Sequence, residues 1–209
     1  MPKRITYLRR RDDRDIRSFR NHWSGPHARI AVDLPGVQAY RQNHIVEQWL
    51  RGGRRIDGIV ELWFRDDESA NAGFASGVAD RLAEDEPRFL SGLVGSAVSG
   101  DLPHAASAVK VWLLLRKEQP GPDLRTWATQ LADQTHAVVV TVDTREVSSP
   151  LLTRGRLEAD SDVPIAAVAL GYRDLESVHA IRSQILAAVT GGQTPTISDV
   201  LVAEEVVII

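Results

Sequence analysis

Three polar side chains in the first third of the chain sit in apolar company. His27 lies four residues after Trp23 and three before Ile30, on a helical stripe shared with Ile16, Phe19 and Leu34, so it faces a sheet rather than water. His44 falls near the end of an alternating strand, Val37 to Val46, in phase with Tyr40 and Gln42. Glu61 interrupts the apolar strand Ile59 to Phe64, and a period of two puts Asp57, Ile59 and Trp63 on its face. Imidazole is the side chain whose ordinary pKa best suits proton transfer at neutral pH. A buried carboxylate nearby can fix its tautomer or, desolvated, act as a base itself. Together the three point to general acid–base chemistry. Each also has a plainer reading: a satisfied core histidine for His27, a strand-end surface residue for His44, an ion-pair partner of an arginine for Glu61.

Other chemistries find less support. His22 and His27 resemble a metal pair, but five helical residues rotate by about 500°, which leaves the two about 140° apart on a regular helix. No metal is expected. There is no Gly-x-Gly-x-x-Gly or phosphate loop, and Arg51-Gly52-Gly53-Arg54-Arg55 reads as a solvated loop, so no cofactor is expected either. The chain has no cysteine, which removes thiolate nucleophiles, disulfides and zinc–sulfur sites. No Ser-His-Asp spacing is recognisable.

The elements that must hold these residues follow one grammar twice. Ile5 to Leu8 is a strand; Asp12 or Asp13 can cap the next helix, with Asp15 in its first turn. Gly25-Pro26 should kink that helix, because proline removes a backbone donor. Pro35-Gly36 ends it. Asp66 caps a helix starting near Glu68, and Leu93 to Val98 is a strand. Then come a strand Val109 to Leu115, a Pro120-Gly121-Pro122 turn, a helix capped by Asp123 running to about Asp133, and strands Ala137 to Val142 and Ile165 to Leu170. A helix capped by Asp174 runs to about Val189, Gly191-Gly192 ends it, and Val200 to Ile209 closes the chain.

The repeat has one offset. Ile16-Arg17-Ser18-Phe19 answers Leu124-Arg125-Thr126-Trp127, and Arg65-Asp66-x-Glu68-Ser69 answers Arg173-Asp174-x-Glu176-Ser177, each pair 108 residues apart. At that offset His22 becomes Gln130, His27 becomes Thr135, Glu61 becomes Ala169 and Trp63 becomes Gly171, while apolar framework positions survive. The polar set belongs to the first copy. Strands such as Trp112-Leu113-Leu114-Leu115 and Ala137-Val138-Val139-Val140 are apolar on consecutive residues, so both sheet faces must be covered. The fold expected is α+β: two β-α-β-β-α-β units in tandem, residues 1–103 and 104–209, closing one eight-stranded barrel within the chain.

Composition narrows the partners. With 209 residues, 43% hydrophobic and 25% charged, the chain reads as an ordinary globular protein, and a net charge of -3 gives no long-range attraction to nucleic acid or anionic membrane. No apolar run approaches the ~18–20 residues of a membrane span. The start, Met1-Pro2-Lys3-Arg4, is charged too early for a signal peptide, which makes the cytoplasm the default compartment. Only Lys3, Lys110 and Lys117 are lysines in an arginine-rich chain, which reads as a codon-composition habit first.

Several motifs together resemble the EthD family: Arg4-Ile5-Thr6-Tyr7-Leu8-Arg9-Arg10, Phe19-x-x-His22-Trp23-x-x-x-His27-Ala28, Leu34-Pro35-Gly36-x-x-x-Tyr40-x-Gln42-Asn43-His44 and Asp57-Gly58-x-x-Glu61-Leu62-Trp63-Phe64. The match covers roughly the first hundred residues. It implies a dimeric α+β barrel built of ferredoxin-like units and, through similar proteins, dehydratases of aromatic polyketide pathways, cofactor-free monooxygenases or aldol cyclases. The resulting expectation is a cofactor-independent enzyme acting on a small apolar molecule, with His27, His44 and Glu61 catalytic. His22, Trp23, Tyr40, Asn43, Asp57 and Trp63 are expected to touch substrate, in a pocket between helices and sheet of the first half. A non-catalytic small-molecule carrier with the same pocket is the alternative.

Overall fold

The structure, a computed structural model, describes residues 1–117, 123–159, 162–191 and 195–209. The Pro120-Gly121-Pro122 turn and Gly192 lie outside the described residues. The first unit runs β1 (Lys3–Arg10), α1 (Ile16–His22), a π-turn (Trp23–His27), α2 (Ala28–Ala31), β2 (Val37–Leu50), β3 (Gly58–Phe64), α3 (Asp67–Phe74), α4 (Gly77–Asp85) and β4 (Leu90–Ser99). The second runs β5 (Val109–Leu115), α5 (Leu124–Thr135), β6 (Val139–Arg145), β7 (Ala166–Tyr172), α6 (Leu175–Ala180), α7 (Arg182–Thr190) and β8 (Asp199–Val207).

The eight strands close one barrel in the order β1-β3-β2-β8-β5-β7-β6-β4. Each half contributes a four-stranded antiparallel sheet, and the halves meet at two seams, β2 with β8 and β4 with β6. The tandem ferredoxin-like barrel within one chain is thus the fold observed. Closure removes the sheet edges that would otherwise need capping. The seams differ. β2 runs to Leu50, beyond the Val46 that alternation suggested, because Arg41 to Leu50 pairs with β8. β6 reaches β4 only at Arg145 and Thr144. The chain after it continues as a strap along β4, bridging at Leu152 to Gly95 and at Glu158 to Gly92.

Asp66, Asp123 and Asp174 cap their helices as expected, each accepting a backbone N–H three residues on. The cap of α1 is Asp15, not Asp12 or Asp13: its carboxylate accepts from Ser18 N–H at 2.8 Å. Each such cap stabilises its helix by about 1 kcal/mol. The helices expected to be single after Asp66 and Asp174 each break once, the first where Ser76 recaps the chain and the second at Ile181.

Alternation along the strands sorts side chains into three apolar layers. Tyr40, Val60, Leu62 and Phe64 face the helices of the first half with Phe19, Trp23 and Leu82. Val111, Leu113, Val168 and Val202 face those of the second half with Trp127, Leu131 and Ile185. Ile5, Ile59, Val94, Trp112, Leu114 and Leu201 fill the barrel interior.

Candidate active site

The helix after β1 does not stay regular. Pro26 has no N–H to give the carbonyl four residues back, and the chain widens instead, with Ala28 N–H reaching the Trp23 carbonyl in an i→i+5 bond. In such a turn residues five apart lie nearly above one another. His22 and His27, which a regular helix would hold far apart, therefore converge. Their common target is a carboxylate: Asp85 Oδ2 lies 2.9 Å from His22 Nε2 and 3.1 Å from His27 Nδ1. Asp85 ends α4, on the buried stripe of Ala79 and Leu82. Phe89 packs against both imidazoles, stacked on His22 at 4.7 Å and edge-on to His27 at 4.9 Å. Burial alone would raise the Asp85 carboxyl, but the hydrogen bonds from His27 and His22 outweigh it and hold it down at about 2.

Asp85 fixes the roles of the His27 nitrogens. An ionised carboxylate can only accept, so Nδ1 carries the hydrogen between them, and among the described residues no protein group bonds Nε2. His27 is buried and lines a narrow cavity of ≈ 50 Å³ between the helices and β1–β3, walled by Leu34, Tyr40, Leu62 and Leu82. Glu86 and Arg154 also reach this cavity and cancel each other's charge in a two-pronged contact of 2.7 and 3.2 Å. His22, with a quarter of its side chain exposed, connects the carboxylate to solvent.

Tyr40 lies where sequence placed it, in the cavity wall, with its hydroxyl accepting from Gln42 Nε2 at 2.7 Å and pushed up to about 12 by burial. Trp23 and His44 are on the same side of the sheet but form a neighbouring cluster. The two rings lie 4.4 Å apart, and His44 Nε2 contacts Gln42 Oε1 at 3.0 Å and Ser24 Oγ at 3.2 Å. Burial, helped by Arg20, drives the His44 pKa down to about 4, so this imidazole stays neutral. Neither residue lines the His27 cavity. Trp23 packs against Gly58, where any Cβ would stand 2.5 Å from the indole.

The remaining expectations about the pocket do not hold. Glu61, Trp63 and Asn43 point to the other face of the sheet, into the barrel interior, because β2 and β3 alternate: Tyr40, Val60 and Leu62 go out, and Asn43, Glu61 and Trp63 go in. Glu61 therefore cannot be the partner of His27. Asp57 closes the end of β3, accepting from Arg10 N–H at 2.9 Å and Arg55 Nε at 2.8 Å. Glu61 is ion-paired, though with lysines rather than an arginine. Lys3 Nζ lies 2.9 Å from one oxygen and Lys110 Nζ 2.5 Å from the other, with Asn43 Nδ2 at 3.1 Å. Lys3 continues to Asp143 at 2.8 Å, Lys110 to Glu205 at 2.8 Å, and Arg41 to Glu205 at 2.8 Å. Burial opposes charge on Glu61, yet the two ammonium groups hold it below the usual carboxylate range. Asp143, with one ammonium partner, is pushed up by burial to about 6.

Three sets of residues escaped the sequence. Lys3, Lys110, Asp143, Glu205 and Arg41 form the interior ion lattice. Its signal was there: of three lysines in the chain, two interrupt or begin apolar strands. Asp85 sat in the acidic run Glu84-Asp85-Glu86, and only its phase with Ala79 and Leu82 marked it as inward-facing. The strap residues Leu152 and Arg154 carried no local signal.

No curated protein matches the chain. Among solved structures it is similar to a candidate monooxygenase from Fusobacterium nucleatum, at 10% identity and a TM-score of 0.58, covering 100% of this chain and 92% of that one. An anthrone oxidase-like protein aligns at 9% identity and a TM-score of 0.59, over 98% and 91% of the two chains. A candidate monooxygenase from Lactobacillus acidophilus aligns at 12% identity and 0.52, over 100% and 94%. These likenesses show the fold. Residues 12–92 match the EthD domain, the segment that carries α1, the π-turn and Asp85. The EthD domain match thus falls within the first half of this intrachain α+β barrel.

Proposed function

We propose that the protein is an enzyme that moves a proton on a small, largely apolar molecule held between the helices and sheet of its first half, with His27 as the base. The observation that carries this is the His27–Asp85 pair at the wall of an apolar cavity. A carboxylate on Nδ1 fixes the tautomer and stabilises the imidazolium that forms when Nε2 accepts a proton. The site's remaining charges, Glu86 and Arg154, neutralise each other, which suits an uncharged reacting group. In a dehydration, Nε2 takes a proton from the carbon beside a carbonyl, and the imidazolium returns it to the departing hydroxyl, so water leaves and a double bond forms. His27 relays the one proton of that sequence from substrate carbon to departing hydroxyl, and no cofactor enters it. Cyclisation starts from the same enolate. The names of the structural neighbours favour oxygenation, which would also begin with removal of a substrate proton and would take its oxidising equivalents from dioxygen. His44 and Glu61 have no part in this reading, because one is neutral in a separate cluster and the other lies across the sheet.

The test needs no natural substrate. Apolar aryl ketones such as 1-tetralone exchange their α-protons with D2O when a base is positioned beside them, and NMR follows the exchange. The protein should accelerate it, and His27→Asn should lose about 10²–10⁴ of that rate with an unchanged melting temperature. Full exchange in a well-folded His27→Asn protein removes the role from His27 and favours a carrier.

A further inference from the structure

The His27 cavity does not stand alone. At its outer end it shares Thr6, Phe74 and Leu152 with a larger vestibule of ≈ 430 Å³. The inner space alone has room for one or two waters, since a water occupies about 30 Å³. Anything larger whose reacting atom reaches His27 must therefore extend past these three side chains. Two of them, Thr6 and Phe74, come from β1 and α3 of the first half. Leu152 comes from the strap of the second half, held by a pair of backbone hydrogen bonds to Gly95, of 2.8 and 3.0 Å.

The vestibule is chemically unlike the inner cavity. Arg4 lies at its wall with the guanidinium 5.9 Å from the Phe74 ring. Its Nε is buried, and among the described residues it has no hydrogen-bond partner. Asn71, Ser148 and Ser149 add polar groups, while the vestibule's carboxylates, Asp67 and Glu146, are exposed. A cation with an unused buried N–H beside an aromatic face is a receiver for an oxygen acceptor on a flat molecule.

We infer that vestibule and inner cavity form one crevice for an elongated, largely apolar molecule that carries a carbonyl, phenol or carboxylate oxygen at its outer end, with Arg4 receiving that oxygen and Leu152 gating the way to His27. This rests on the reading of the first-half cavity as the substrate site. It also gives the second half a part in that site, because the gate is a second-half residue.

The probe is 6-propionyl-2-(dimethylamino)naphthalene, an elongated ketone whose emission shifts to the blue in apolar surroundings. Saturable, blue-shifted binding is expected. Leu152→Trp, which fills the neck, should weaken it about tenfold or more, and Arg4→Met about tenfold. Thr6→Ile narrows the same neck from β1 and should act in the same direction, which covers a Leu152→Trp protein that fails to melt cooperatively. Binding that ignores all three substitutions, or no saturable binding, overturns the inference. Because the readout is binding, the two readings fail separately. Full ketone exchange in His27→Asn with gated dye binding refutes only the proton-transfer role. Loss of exchange in His27→Asn with ungated dye binding refutes only the crevice.

Discussion

The two helix-facing layers of the barrel share a frame and differ in what the helix does at its C-terminal end. In the second half α5 runs regularly from Leu124 to Thr135 and stops at His136, whose left-handed φ of 57° ends it. Thr135, at the position of His27, turns its hydroxyl to the Leu131 carbonyl at 2.7 Å and to the Tyr172 hydroxyl at 2.8 Å. That hydroxyl is thus spent within the protein. In the first half Gly25-Pro26 forces the π-turn, the helix continues to Ala31, and the widened turn delivers two imidazoles to one carboxylate. The prolyl π-turn, together with His27 and Asp85, thus separates a packed layer from one with an unspent nitrogen at a cavity wall. The sheet beneath differs as well: Thr6, Gln42 and His44 lie on the helix-facing side of the first half, where the second half presents Val111, Leu113, Val168 and Val202.

That contrast can be broken experimentally. The largest effect should come from the paired substitutions His27→Asn and Thr135→Val. The first should remove about 10²–10⁴ of ketone exchange, and the second should leave exchange intact. Equal losses in both would mean that the halves do not divide the labour as described.

Next in size is the barrel interior, which neither helix layer touches. Glu61→Ala leaves Lys3 and Lys110 facing each other without their shared carboxylate, and a broken buried ion pair costs about 3–5 kcal/mol. Urea unfolding should show that loss, and a change below 1 kcal/mol would mean the lattice contributes little.

A pH series separates the interior lattice from the outer dyad by sign. Asp143 is raised to about 6, so the folded state holds its proton where the unfolded chain has released it. That contribution is complete below about pH 4, is lost as pH rises through about 6, and is on the order of 3 kcal/mol. Asp143→Asn should flatten this slope. Asp85 runs the other way. Its folded pKa is depressed to about 2, so its contribution is present above about pH 4 and disappears as pH falls through 2. Asp85→Asn should flatten only the acid limb.

The smallest effect is the stability cost of Thr135→Val. Losing the buried hydroxyl with its contacts to Tyr172 and the Leu131 carbonyl should lower stability by about 1 kcal/mol. A neutral result would show that the hydroxyl pair merely satisfies itself.

Much of the frame was legible before any coordinates. The caps at Asp66, Asp123 and Asp174, the apolar strands and the repeat of Arg-Asp-x-Glu-Ser are local patterns, and local patterns dictate local structure. His27 could be placed at a helix–sheet contact by its phase with Trp23 and Ile30. Its partner could not. Period-two alternation put Glu61 and Trp63 on one face of β3 but did not say which face met the helices, and a choice made one residue out of phase sends the whole set to the other side. The structure sends Glu61 inward to Lys3 and Lys110, and leaves Asp85, 58 residues from His27 in sequence, to hold the imidazole.

The sequence by itself therefore determined the repeat, the elements and the asymmetry between the copies, because each is set by residues close together in the chain. Tertiary structure alone decided that the π-turn rotates His22 and His27 onto Asp85, that β2 outruns its alternation to pair with β8, and that Leu152 of the second half closes over the first. Those contacts join segments tens to more than a hundred residues apart. Which of them form is settled by closing the barrel with every strand paired and every apolar face covered, a condition on the whole chain that no short stretch of it encodes.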